Sequence, residues 1–231
     1  MPDQAAGIKE NLAGVNDRMD KALNDALRNR SGLTLIAVSK RQPLSMVKKA
    51  FKLGLRHFGE SQVQEGIPKA LSAPDEIVWH FIGHLQKNKV RKAVKYFPYI
   101  HSVDSLSLLQ RVDAISAEER LCPKVFLQVN YALDPDKQGL HPEAVAPVLK
   151  TARAMKNVAC LGLMGIPPIH LNKKKTEEYF RGLAALRDKL KETDPEWPGL
   201  LSMGMSDDFE AAIRAGSNFI RVGTALFGER R

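Results

Sequence analysis

The sequence predicts an α/β protein of the (β/α)8 barrel class, the TIM-barrel architecture, and three observations carry that prediction. Short apolar runs rich in β-branched residues recur along the chain, Thr34-Leu35-Ile36-Ala37-Val38 being the first. Between them lie stretches of about 10–15 residues whose apolar positions fall at helical spacing, the pattern of βα units on a parallel sheet. Eight such pairs fit into about 200 residues, the compact end of the closed-barrel size range. A doubly wound open sheet is the alternative, and no GxGxxG follows the first strand to support it. With no linker or shift in composition, residues 1–231 are expected to form one domain, residues 1–32 being an N-terminal helix packed on the barrel.

The elements follow in order. Ile8, Leu12, Val15, Met19, Leu23 and Ala26 or Leu27 make a helical stripe over residues 5–29, ended by Asn29-Arg-Ser-Gly32. Leu33–Val38 is a strand, and Pro43–Leu53 a helix with Gly54 as its C-terminal stop. His57–Gly59 is a short strand and 61–71 a helix; Ile77–Gly83 is a strand and 86–97 a helix. Tyr99–Val103 is a strand, and 105–119 a helix started by an Asp104/Ser105 cap. Lys124–Asn130, a loop rich in Asp, Pro and Gly, and a helix over 142–155 continue the alternation. Val158–Ile166, a helix over 175–190, Gly199–Met203, a helix over 206–215 and Phe219–Val222 complete it.

Composition narrows the functional classes. The chain has 231 residues, 44% of them hydrophobic, enough to bury a full core. No run of about 18 apolar residues exists to span a membrane. Met1–Glu10 lacks a basic segment followed by an apolar core, so no secretory signal is expected. Two cysteines without a CxxC or nearby histidines suit a reducing cytoplasm and argue against a disulfide scaffold or a zinc site. The net charge of +9 favours anionic partners in general. Its densest run puts Lys87, Arg91 and Lys95 on one helical face opposite Val90, Val94 and Phe97, with no aromatic platform for bases. That is the pattern of a solvated face, not of a nucleic-acid site.

Chemistry concentrates at one edge. The first strand ends in Ser39-Lys40, which sets an amine at the carboxyl edge of the sheet, where barrels carry their sites. The loops after the seventh and eighth strands, Ser202-Met-Gly-Met-Ser-Asp-Asp208 and Arg221-Val-Gly-Thr224, are rich in small residues and hydroxyls. Such loops hold phosphate, and Ser202, Ser206 and Thr224 can donate to it. Ser206 also suits a helix N-cap. An amine beside a phosphate cradle fits a lysine carrying pyridoxal phosphate, and equally a class I aldolase. Arg221 either turns inward to a ring nitrogen or forms a salt bridge at the rim.

The segments AVSK (37–40), HFGESQVQE (57–65), WHFIGHLQKNK (79–89), IHSVDSL (100–106), LGLMGIPP (161–168), LSMGMSDDFEAAIRAGS (201–217) and RVGTALFGER (221–230) closely resemble the pyridoxal phosphate homeostasis protein family. That family is similar to the N-terminal barrel of alanine racemase standing alone. The resemblance implies a fold-type III barrel with pyridoxal 5′-phosphate held on Lys40 through a Schiff base. It implies that Ser202, Ser206, Gly223 and Thr224 hold the phosphate, that Arg221 faces the pyridine nitrogen, and that Met164 lines the ring site. Family members are regarded as binding and buffering the cofactor, so a role in vitamin B6 homeostasis without substantial catalysis is expected. The alternative is a weak pyridoxal-phosphate-dependent racemase. Pyridoxal-phosphate-dependent apoenzymes are the partners such a carrier would serve, and a monomer is expected.

One position departs from the family: Ser61 stands where FGEN is usual, which puts any ring contact from there in doubt. His80 and His84, near the end of the third strand, read as site-tuning or structural groups. Alanine racemases also take a second, tyrosine base from a C-terminal β-domain. The chain ends at Arg231 and none of Tyr96, Tyr99, Tyr131 and Tyr179 is an obvious replacement, so efficient two-base racemisation is not expected.

Overall fold

The computed structural model describes residues 4–228. The last two residues of the 221–230 motif therefore lie outside the described residues. Its frame is eight strands: β1 Thr34–Val38, β2 His57–Glu60, β3 Val78–Phe81, β4 Tyr99–Val103, β5 Lys124–Val129, β6 Ala159–Gly165, β7 Leu200–Ser202 and β8 Phe219–Val222. Every strand runs parallel to its neighbour in chain order, and β8 closes on β1 with Ile36 opposite Arg221 and Ala37 opposite Val222. The predicted closed barrel is the observed one.

Helix α1 (Gln4–Asp25) precedes β1. The crossovers that parallel strands require are α2 (Leu44–Lys52), α3 (Val63–Ser72), α4 (Val90–Tyr96), α5 (Leu106–Glu119), α6 (Pro142–Ala154), α7 (Lys173–Thr193) and α8 (Phe209–Arg214), with α9 (Thr224–Phe227) after β8. Local chemistry sets several ends. Ser105 Oγ accepts from Leu108 N at 3.3 Å, the expected cap of α5. Asn172 Oδ1 accepts from Lys175 N at 3.0 Å, so Lys173-Lys174-Lys175 is the first turn of α7. Pro142 opens α6, where its missing N–H costs nothing.

Helix α1 stops four residues earlier than its stripe suggests. Leu27 takes a left-handed φ of 53° and is exposed, because the chain turns to let Arg28 donate to the Ile213 and Ser217 carbonyls at 2.6 and 2.7 Å. The helix packs on α8 and α9: Ile8, Val15, Met19 and Leu23 are buried, and Asn11 Nδ2 donates to Leu226 O at 3.0 Å. Each such buried aliphatic side chain contributes roughly 1.5–3 kcal/mol. On α4 the basic face is partnered by α5, Arg91 with Glu118 and Glu119 and Lys95 with Glu119, while Val90, Val94 and Phe97 are buried opposite.

The larger core lies between strands and helices. A smaller one, Ile36, Phe126, Met164 and Phe219, fills the barrel itself. It shares that space with polar groups, since His80, His101, Ser202 and Arg221 are all buried there. Among the described residues no helix is long and apolar enough to cross a membrane.

Candidate active site at the barrel mouth

Lys40 stands two residues past the end of β1 and is half-buried. The residues on either side of it are held from below. Ser39 Oγ donates to Glu60 Oε1 at 2.6 Å, and Lys69 Nζ donates to Ser39 O at 2.7 Å, Glu60 Oε1 at 2.8 Å and Glu65 Oε1 at 2.7 Å. The Arg41 amide donates to that same Glu65 oxygen, and Arg41 adopts a left-handed φ of 62°. Burial raises the Glu60 carboxyl, and the hydrogen bonds from Lys69 and Ser39 oppose it. An ion-paired knot thus fixes the backbone that presents Lys40. Sequence reasoning missed it. Its only signal was Glu65 and Lys69 standing four apart on one helix.

Across the β1–β8 seam lies a cluster of backbone donors. Gly223 N and Ala225 N both donate to Ser206 Oγ, each at 3.2 Å. Ser206 does not cap α8, contrary to one of its two expected roles. That helix starts at Phe209, and Asp208 instead accepts from Met205 N at 2.6 Å, folding the loop so that Ser206 reaches the turn between β8 and α9. Gly204 makes the fold possible: its φ is 97°, and a Cβ there would sit 2.6 Å from that of Ala212. Thr224 is exposed at the start of α9.

Among the described residues Arg221 makes no rim salt bridge. Its guanidinium lies inside the barrel, donating to Ser202 Oγ at 2.9 Å and to Gly165 O at 3.0 Å. Burial lowers its pKa to about 10, so it stays charged at neutral pH. Ser202 is fully buried, and its hydroxyl also lies 2.8 Å from His101 Nδ1. Met164, opposite Ser202 in the strand register, is fully buried in the interior core. Lys40, Ser206, Gly223 and Thr224 therefore gather at the rim, while Ser202, Arg221 and Met164 form a layer beneath. Ser61 approaches the next loop so closely that a Cβ on Gly83 would overlap its carbonyl.

The two histidines part company. His84 is exposed, 3.1 Å from Asp104, and lines a small pocket of about 300 Å³ with Lys137. His80 is fully buried inside the barrel, 3.0 Å from His57 and 2.9 Å from His101. A larger groove, about 820 Å³, opens beside the mouth between α1 and the loops after β6 and β7. An amine on a rigid strand end, clustered amide donors and a buried permanent cation together suit a phosphorylated carbonyl compound.

The geometry defines a lysine-bearing parallel barrel of the alanine racemase kind, and sequence comparison agrees: residues 21–231 match the family model for the alanine racemase N-terminal domain. The chain belongs to that family and, within it, to the pyridoxal phosphate homeostasis proteins. It is 40% identical to the protein of that name from Pseudomonas aeruginosa, over 96% of both chains. With the one from Aquifex aeolicus it shares 37%, over 96% of this chain and 98% of the other. Among solved structures it superposes on PipY of Synechococcus elongatus with pyridoxal phosphate bound at a TM-score of 0.85 and 38% identity, covering 96% of this chain and all of PipY. Alanine racemase from Clostridium difficile, at 15% identity and a TM-score of 0.77, shares the fold; the match covers 97% of this chain and 57% of that one.

Proposed function

We propose that this chain binds pyridoxal 5′-phosphate on Lys40 and acts in vitamin B6 homeostasis as a carrier or buffer without substantial turnover. The observation that carries the reading is that Lys40 and the Gly223 and Ala225 amides follow the carboxyl ends of two neighbouring strands, β1 and β8, across the barrel seam. The donor chemistry fits the group. Two amide N–H groups converge on one oxygen, that of Ser206, as they would on a phosphate oxygen.

When bound, the cofactor supplies an aldehyde that a lysine amine can hold covalently and a ring that withdraws electrons. We assign its phosphate to Ser206, Gly223 and Thr224, and its ring floor to Met164. Arg221 is assigned to the ring nitrogen, where a permanently charged donor keeps that nitrogen unprotonated and weakens electron withdrawal. Ser202, which the resemblance also sets on the phosphate, is buried between Arg221 and His101, and we assign it instead to positioning the Arg221 guanidinium.

The tyrosines support a carrier. Tyr99 opens β4 at the far end of the barrel from the mouth, and Tyr96 ends α4 on the outside. Tyr179 is buried behind β6, and the Tyr131 hydroxyl points at Gly182 of α7. Tyr131 and Tyr179 also pack on each other, their ring centroids 5.7 Å apart. The cytoplasm is the compartment and pyridoxal-phosphate-dependent apoenzymes are the recipients this reading implies.

Adding the cofactor to the purified chain should produce the absorbance band of a lysine-bound pyridoxal group, at about 420 nm. Lys40→Ala should lack that band while keeping its fold by circular dichroism. A band that survives in Lys40→Ala would overturn the lysine assignment. Racemisation of D- or L-amino acids well above that of free cofactor would overturn the carrier reading.

A further inference from the structure

We propose that His57, His80 and His101 form a proton relay through the barrel, joining solvent at its amino-terminal face to the Ser202 hydroxyl beneath the mouth. The path is continuous. His57 Nδ1 lies 3.0 Å from His80 Nε2, His80 Nδ1 lies 2.9 Å from His101 Nε2, and His101 Nδ1 lies 2.8 Å from Ser202 Oγ. His57 opens β2 and is half-buried, so the outer end meets solvent. His80 and His101 are fully buried. Stacking holds their planes: His80 on Tyr99 at 4.4 Å, and His101 on Phe126 at 4.4 Å and 12°.

Burial favours the neutral form of the two inner rings. Burial first, then His101, His57 and Lys124, push His80 well below the ordinary imidazole range; burial and Arg221 do the same to His101. His57 is lowered by burial and by Lys124, which stands at the outer end with its ammonium on the Tyr99 hydroxyl. Among the described residues no carboxylate is bonded to any of the three rings.

A neutral imidazole carries one N–H, and this makes the chain a two-state element. If His80 is protonated on Nε2, it donates to His57 Nδ1 and must accept from His101 Nε2–H. His101 Nδ1 then accepts the Ser202 proton. If His80 is protonated on Nδ1, every bond reverses: His57 Nδ1–H donates inward, and His101 Nδ1–H donates to Ser202, which is left with its own proton to give. A mixed arrangement sets two protons or two lone pairs face to face. The three rings therefore switch together.

One proton passing inward connects the two states. It adds to His57 Nε2. The Nδ1 proton of His57 moves to His80 Nε2, that of His80 to His101 Nε2, and that of His101 to Ser202 Oγ, whose own proton passes to a water oxygen at the mouth. One proton enters, one departs, and no ring keeps a charge. Arg221, always a donor to Ser202, leaves the hydroxyl free to take either role. The relay rests on the geometry of the chain alone and does not depend on the cofactor reading.

The test is hydrogen exchange of the ring N–H groups, followed by NMR on ¹⁵N-labelled full-length chain without cofactor, moved from H₂O to D₂O. The relay predicts that the His80 and His101 ring protons exchange at least about tenfold faster than the backbone amides of β3 and β4, whose exchange requires opening of the sheet. His57→Phe should slow ring exchange by about tenfold or more and leave those amides unchanged. His57→Gln can still bond His80 but cannot pass a proton on, and should be as slow as His57→Phe. Ring protons that exchange as slowly as the amides in the unmodified chain would overturn the relay. So would restoration of fast exchange by glutamine, which would make the chain a static hydrogen-bonded core.

Discussion

Ser39 Oγ donates to Glu60 Oε1 at 2.6 Å, one residue before the lysine at the barrel mouth. The bond ties the end of β1 to the end of β2, and Lys69 rises from α3 to complete it. Lys40 thus stands on a strand end held by charge as well as by the sheet.

Removing the cation should be costly. Glu60 and Lys69 are both buried, and among the described residues the second Glu60 oxygen has no hydrogen-bond partner. Lys69→Met strands a carboxylate in the interior and should cost about 3–5 kcal/mol in urea unfolding. The double variant Lys69→Met/Glu60→Leu removes both charges and should recover most of that loss. A single variant as stable as the parent would show that the pair is not buried in solution.

Ser202→Ala takes away a hydroxyl shared by Arg221 and His101. Two buried polar groups each lose a partner, so a loss of about 1–3 kcal/mol is expected. Chemical denaturation measures it. A neutral result would mean that water replaces the hydroxyl.

Stability should fall in mild acid. His80 and His101 have pKa values depressed below 6.5 in the fold, so the unfolded chain binds more protons than the native one as pH drops. Their contribution is complete above pH 6.5 and is lost as pH falls towards their folded values. Both groups act in the same direction, so the denaturation midpoint should drop as pH is lowered from 6.5. A denaturation midpoint unchanged across that window would show that these rings are solvated.

Gly204→Val should damage the mouth specifically. The φ of 97° and the Ala212 contact leave no room for a branched side chain, and a strained backbone there costs about 1–3 kcal/mol. Because Gly204 directs the loop that carries Ser206 to the turn after β8, cofactor affinity should weaken as well, read by titrating the absorbance band. Unchanged affinity would show that the loop finds another path.

Much of the frame was legible in the chain itself. Period-two and period-3.6 patterning marked the eight strands and the helices between them, and Tyr99–Val103 and Phe219–Val222 match their predicted bounds. The strand-end position of Lys40 and the small-residue loops around Ser206 and Gly223 were equally visible, because turn chemistry is local. The end of α1 was not, since Arg28 leaves the helix for carbonyls about 185 residues away in sequence.

By itself, the sequence determined the barrel, the family and the residues gathered at its mouth. The tertiary structure alone decided which way each polar side chain turns: Arg221 inward to Ser202 and Gly165, Ser206 to the turn after β8 in place of its own helix, and three histidines into one line. The reason is physical. Periodicity assigns a residue to a face, but its partner across the barrel depends on the strand register and on closure, which bring His101 and Ser202, 101 residues apart, to 2.8 Å. Lys40 itself was plain in the sequence. The knot of Ser39, Glu60, Glu65 and Lys69 that holds it existed only once β1, β2 and α3 had packed together.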